Sequence, residues 1–89
     1  MVKFLDWNLG NLSQGDSVTF RLSGVESDVM LLTPNDLSAF KAHRSYSFVG
    51  GHTRTPVVRL GVPTDGSWHA IVVPGIGGTV HAQVRVTRK

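Results

Sequence analysis

The sequence predicts a small antiparallel β-sandwich or partly open barrel with one short helix, and three observations carry that prediction. Ten glycines and four prolines separate short runs of β-branched and aromatic residues, the punctuation of an antiparallel fold with tight turns. Two runs alternate with period two: Val18, Phe20 and Leu22 against Ser17, Thr19 and Arg21, and Val80, Ala82, Val84 and Val86 against Thr79, His81, Gln83 and Arg85. Each reads as a strand with one apolar and one wet face. At 89 residues, 40 % hydrophobic and 17 % charged, the chain is expected to be one domain over residues 1–89 with a single core.

In chain order, strands are expected at Val2 to Leu9, Ser17 to Leu22, Asp28 to Leu32, Tyr46 to Val49, Pro56 to Val62, Ser67 to Val73 and Thr79 to Val86. The helical signal is Thr33-Pro34-Asn35-Asp36: Thr33 can cap free amides, Pro34 suits the first helical position and Asp36 suits the first turn. It predicts a helix over 34–42, with Leu37 and Phe40 on one face plugging an open end or edge of the sheets. Pro63-Thr64-Asp65-Gly66 and Pro74-Gly75-Ile76-Gly77-Gly78 are turn sequences, so the last three strands read as a meander. A loop of Gly75, Ile76 and Gly77 then sets Trp68, Ala70 and Val72 opposite Val84, Ala82 and Val80; a shift of one residue would bury His69, Ile71 and Val73 instead. The first register puts the bulkiest side chain inside. The other face of Ser67 to Val73 still carries apolar residues, as a central or doubly covered strand would.

Composition excludes several function classes. Cysteine is absent, so neither disulfides nor thiolate metal sites contribute, in keeping with a reducing cytosol. No apolar run is long enough to span a bilayer and MVKFLDWNLG is not a signal-peptide core, so a cytoplasmic protein without membrane attachment is expected. The formal charge of +3 comes from dispersed arginines and a Thr87-Arg88-Lys89 tail rather than a basic block. It permits nucleic-acid binding without requiring it. No nucleophile elbow or phosphate loop is present, and no enzyme is expected. His43, His52, His69 and His81 lie 9, 17 and 12 residues apart, unlike the short pairs of zinc sites, so neither metal nor other cofactor is expected. On the meander, His69 and His81 would project from neighbouring strands.

The candidate site is the middle of SYSFVGGHTRTPVVRL, residues 45–60. Gly50 and Gly51 allow a sharp turn or close approach and leave amides free to meet an anion, while His52 and Arg54 add donors. The structural alternative is a bulge or corner, with His52 bonded to a neighbour and Arg54 solvated or paired with an acid. Asp16 and Asp28, at strand starts, read as turn or cap residues. A second surface is nucleic-acid binding through Arg21, Arg59 and Arg85, all at polar strand positions, though without a set of exposed aromatics between them. The expected function is therefore a non-catalytic binding or sensing module for a small ligand or protein partner, with a weak nucleic-acid binder or a small enzyme as alternatives. Sheet edges could also pair two copies.

The order Gly15-Asp16-x-Val18-x-Phe20-x-Leu22-Ser23-Gly24, Asp28-Val29-x-Leu31-Leu32, Phe48-Val49-Gly50-Gly51-His52, Pro56-Val57-Val58-Arg59-Leu60 and Gly66-Ser67-Trp68 resembles a small bacterial domain-of-unknown-function family. More distantly it is similar to jelly-roll-like β-sandwich modules appended to secreted peptidases. The resemblance covers nearly the whole chain. It implies a stand-alone protein or an accessory beside a TIR domain, a partner for which 89 residues leave no room. It brings no catalytic or binding residues with it.

Overall fold

Strand alternation sets the layers. The strands are β1 (Leu5–Leu12), β2 (Ser17–Gly24), β3 (Ser27–Leu32), β4 (Val49–Thr53), β5 (Val57–Gly61), β6 (Gly66–Pro74) and β7 (Val80–Thr87), with one helix, α1 (Pro34–Lys41). They are taken from a computed structural model that describes residues 4–24, 26–75 and 78–89. Two antiparallel sheets form, one ordered β1-β6-β3-β4 and the other β5-β2-β7. They pack as a sandwich with no closed barrel.

The inner faces make the main core. Val18 and Phe20 from β2, Val29 and Leu31 from β3, and Trp68, Ala70 and Val72 from β6 are all buried there, with half-buried Val84 and Val86 of β7 against them. Phe20 is completely buried; covering a side chain of that size contributes about 1.5–3 kcal/mol. The Trp68 indole N–H donates to the Thr64 carbonyl at 3.1 Å, so its polar atom is satisfied by the preceding turn.

On the opposite face of the larger sheet, Met30, Leu32 and Ile71 form a second apolar layer under Leu37 of α1, with Phe4, Phe40, Tyr46 and Val73 packed around it. Thr33 caps α1 by accepting the Asp36 amide, and Pro34 opens the first turn. The helix thus lies on a sheet face rather than plugging an end or edge, because β3 and β6 are apolar on both sides.

Three expectations are corrected. The Pro63–Gly66 turn and the β6–β7 connection are crossings between sheets, not hairpins: β6 lies between β1 and β3, while β7 pairs with β2. Ile76 and Gly77 of the second loop lie outside the described residues, as do Val2 and Lys3 of the first expected strand. Trp68, Ala70 and Val72 do face the core, but Ile71 is equally buried on the other face, so the choice between registers dissolves. Finally, Tyr46 to Phe48 are not a strand; the strand is Val49–Thr53 and contains the glycine pair itself.

Candidate functional site

The Gly50–Arg54 crossing is built by β4 pairing against β3, with Gly50 opposite Met30 and His52 opposite Asp28. Gly50 has φ +125°, and a Cβ there would overlap the Val29 carbonyl oxygen. Only glycine fits both the dihedral and the approach. Gly51 faces open space. The side chains of His52 and Asp28 stand on the same face as α1, since Val29 and Leu31 take the inner face of β3.

At this crossing His52 and Arg54 already face carboxylates. His52 Nδ1 lies 2.8 Å from Asp28 Oδ1 and its Nε2 3.5 Å from Glu26 Oε1. Arg54 Nε lies 2.8 Å from Glu26 Oε2. The hydrogen bond to Asp28 raises the His52 imidazole above its ordinary value of 6.5; desolvation opposes this and the Glu26 charge adds to it. Both ring nitrogens thus face carboxylates. Two shallow concavities adjoin the segment. One, of about 480 Å³, opens between the edge strands β4 and β5 and is lined by Val29, Gly50, Gly51, Thr53, Val58 and Leu60 among others. The other, about 290 Å³, includes Glu26 and Arg54 in its wall.

The three arginines of the second surface stand together. Arg59 and Arg85 are both register partners of Thr19, one from β5 and one from β7, and Arg21 follows two residues along β2. All project from the face opposite Val18 and Phe20, so they share the outer face of β5-β2-β7. None of these three strands contains Asp or Glu. Arg59 Nε donates to Ser17 Oγ at 3.1 Å, and among the described residues Arg21, Arg59 and Arg85 enter no ion pair. A third concavity, about 410 Å³, lies on this face and is lined by Arg21, Leu22, Ser23, His81, Ala82 and Gln83.

The remaining polar clusters have structural partners. His69 Nδ1 lies 2.9 Å from Asp6 Oδ1 across β6 and β1, on the helix-bearing sheet, so His69 and His81 are on different sheets and not neighbours. Asp16 is buried and ties the C-terminal tail down: it accepts the amides of Ser13 at 2.9 Å and Lys89 at 2.8 Å, with Arg88 at 3.6 Å. The two amide hydrogen bonds hold its carboxyl below the usual value, against desolvation, with Arg88 adding to them. Among the described residues no group of three or more histidines and carboxylates is placed to hold a metal, and no helix is long and apolar enough to cross a membrane.

Sequence reasoning assigned Asp28 to a turn and passed over Glu26, Ser23 and Gln83. Alternation along 26-28 against 52-54 carried the first signal, but pairing it needed the knowledge that β3 and β4 are neighbours. No curated protein and no solved structure matches the chain. Residues 2–89 match a domain of unknown function, DUF1883, and with nearly its whole length inside that match the chain belongs to this family.

Proposed function

We propose that the domain is a non-catalytic binding module whose ligand surface is the outer face of β5-β2-β7, and that its ligand is the phosphate backbone of a single-stranded nucleic acid. The observation that carries this reading is the contrast in partners: Arg21, Arg59 and Arg85 share a face whose strands hold no carboxylate, whereas His52 and Arg54 are engaged by Glu26 and Asp28. A cation without a local counter-charge gains more from an incoming phosphate, because no existing pair must first be broken. With no Phe, Tyr or Trp on these strands' outward positions, base stacking is limited and binding is weak and tolerant of sequence. Such a module suits a cytoplasmic accessory beside a bacterial signalling effector.

The test is fluorescence anisotropy with a labelled single-stranded oligonucleotide bearing a 5′-hydroxyl, titrated across salt concentrations. Three neutralised phosphates correspond to a slope of about −2 in log K against log salt, on the relation of roughly −0.7 per contact for single strands. Replacing Arg21, Arg59 and Arg85 together by alanine should flatten that slope and weaken binding at least tenfold, about 1.4 kcal/mol. Unchanged binding by that variant, or none at low salt by the wild type, overturns the reading. A second reading, a small ligand in the cleft between β4 and β5, is favoured by the roughly 480 Å³ opening beside Gly50 and Gly51. It predicts that His52→Ala with Arg54→Ala abolishes ligand capture while the fold survives.

A further inference from the structure

One end of the arginine face is organised more closely than the rest. Arg21 on β2 is the register partner of Gln83 on β7, and Ser23 is the partner of His81. These four side chains therefore stand at the corners of a rectangle, roughly 4.8 Å across the strands and roughly 7 Å along them. All four are exposed, and together they line the concavity of about 410 Å³ on this face. That volume lies within the range of about 300–1,000 Å³ occupied by small-ligand sites.

We propose that this rectangle is a seat for a terminal phosphomonoester, so that the domain holds the phosphorylated end of its ligand there. The chemistry of the corners selects this group. A guanidinium, a primary amide, a hydroxyl and an imidazole offer more N–H and O–H donors than the two free oxygens of a phosphodiester can accept. A phosphomonoester presents three acceptor oxygens and a charge of about −1.5 to −2. The arginine supplies the charge-assisted hydrogen bonds and the neutral corners complete the shell. Arg85 stands one further strand step along β7 from Gln83, with Arg59 beyond it across Thr19, so a chain whose end is seated in the rectangle would lay its next phosphodiesters over those two arginines. The same terminal group occurs on a nucleoside monophosphate and on a 5′-phosphorylated strand.

This inference rests on the reading of the face as a polyanion surface, and the experiment separates the two. The wild-type protein is titrated with an oligonucleotide carrying a 5′-phosphate and with the same oligonucleotide carrying a 5′-hydroxyl. The phosphorylated form should bind about tenfold more tightly. Replacing His81 and Gln83 by alanine should remove that preference and weaken the 5′-hydroxyl form far less than the phosphorylated one; Arg59→Ala with Arg85→Ala should weaken both forms and keep the preference. In a parallel arm, AMP should perturb the backbone amide resonances of Ser23, His81 and Gln83 saturably, and adenosine should not; this response without any binding of either oligonucleotide would assign the seat to a small phosphomonoester and overturn only the nucleic-acid reading. Equal affinity for the two oligonucleotides, together with no response to AMP, overturns the seat; if both bind, the broader reading of the face stands.

Discussion

Two clusters in this molecule begin from the same side chains and end in different chemical states. At the β4 crossing, a histidine and an arginine two residues apart face Asp28 on β3 and Glu26 just before it. On the outer face of β5-β2-β7, an arginine and a histidine face a glutamine and a serine. The first cluster sets its nitrogen groups against carboxylates beside a strand held in place by Gly50; the second has no carboxylate on its strands and keeps its arginine charge exposed to solvent. Residue type alone therefore does not set which charged groups stay unpaired at the surface. What decides it is the identity of the residue across the ladder, since an exposed pair already formed must give up part of its own energy to take a ligand.

The comparison can be broken most forcefully at Gly50. Gly50→Ala forces a Cβ into the Val29 carbonyl at a positive φ, and the dihedral alone should cost roughly 1–3 kcal/mol. Thermal unfolding would read this as a fall of about 4–8 °C per kcal/mol for a domain of this size. Arg21→Ala, on the exposed face, should stay within about 0.5 kcal/mol of wild type. Equal losses from both would mean that the crossing is no more structural than the arginine face.

A charge exchange sharpens the contrast at a smaller scale. Gln83→Glu would place a carboxylate opposite Arg21 and copy the arrangement of the crossing, and polyanion affinity should fall about tenfold. Glu26→Gln with Asp28→Asn should do the reverse, freeing His52 and Arg54 so that the crossing gains salt-sensitive affinity for the same oligonucleotide. Anisotropy on both variants reads the two effects together. No change in either would detach binding from cross-strand charge altogether.

The smallest effects are those of pH. Because His52 is raised in the folded state by Asp28, its contribution to stability is fully present below its ordinary value of 6.5 and is lost as pH rises through the raised folded value. Asp16 has the opposite sign: its carboxyl is lowered, so its contribution is present above the ordinary 3.8 and is lost as pH falls through the lowered folded value. Urea unfolding across pH should show both changes. Asp28→Asn should remove the His52 step and leave the Asp16 step intact; survival of the first step in that variant would refute the assignment to this pair.

Much of the fold was legible because it rests on local rules. Period-two alternation in Ser17–Gly24 and Val80–Thr87 identified both strands and both faces. The Thr33 cap and Pro34 located the helix to within a residue of its observed end at Lys41. The β4 strand was misplaced because its glycines mimic a turn: a glycine pair marks a corner when seen alone, and a strand only when a neighbour's carbonyl is known to press against it. The meander failed for a related reason. Turn sequences report that the chain reverses, but not whether the next strand joins the same sheet or crosses to the other.

The candidate surfaces divide in the same way. That Arg21, Arg59 and Arg85 occupy polar strand positions follows from alternation, and the absence of acids from their strands is a fact of composition. That they form one face required β2 to lie between β5 and β7. By itself, then, the amino-acid sequence determined the β-rich sandwich class, the short capped helix, the inward-facing residues of each regular strand and the supply of charged groups, because these depend on neighbours a few positions away. Only the tertiary structure decided that β6 leaves its expected meander for the centre of the other sheet, that His52 and Arg54 meet Glu26 and Asp28, and that Arg21 and His81 share a rectangle free of carboxylates. Those outcomes depend on which strands become neighbours, and strand order is chosen by the burial of two faces at once rather than by any local run of residues.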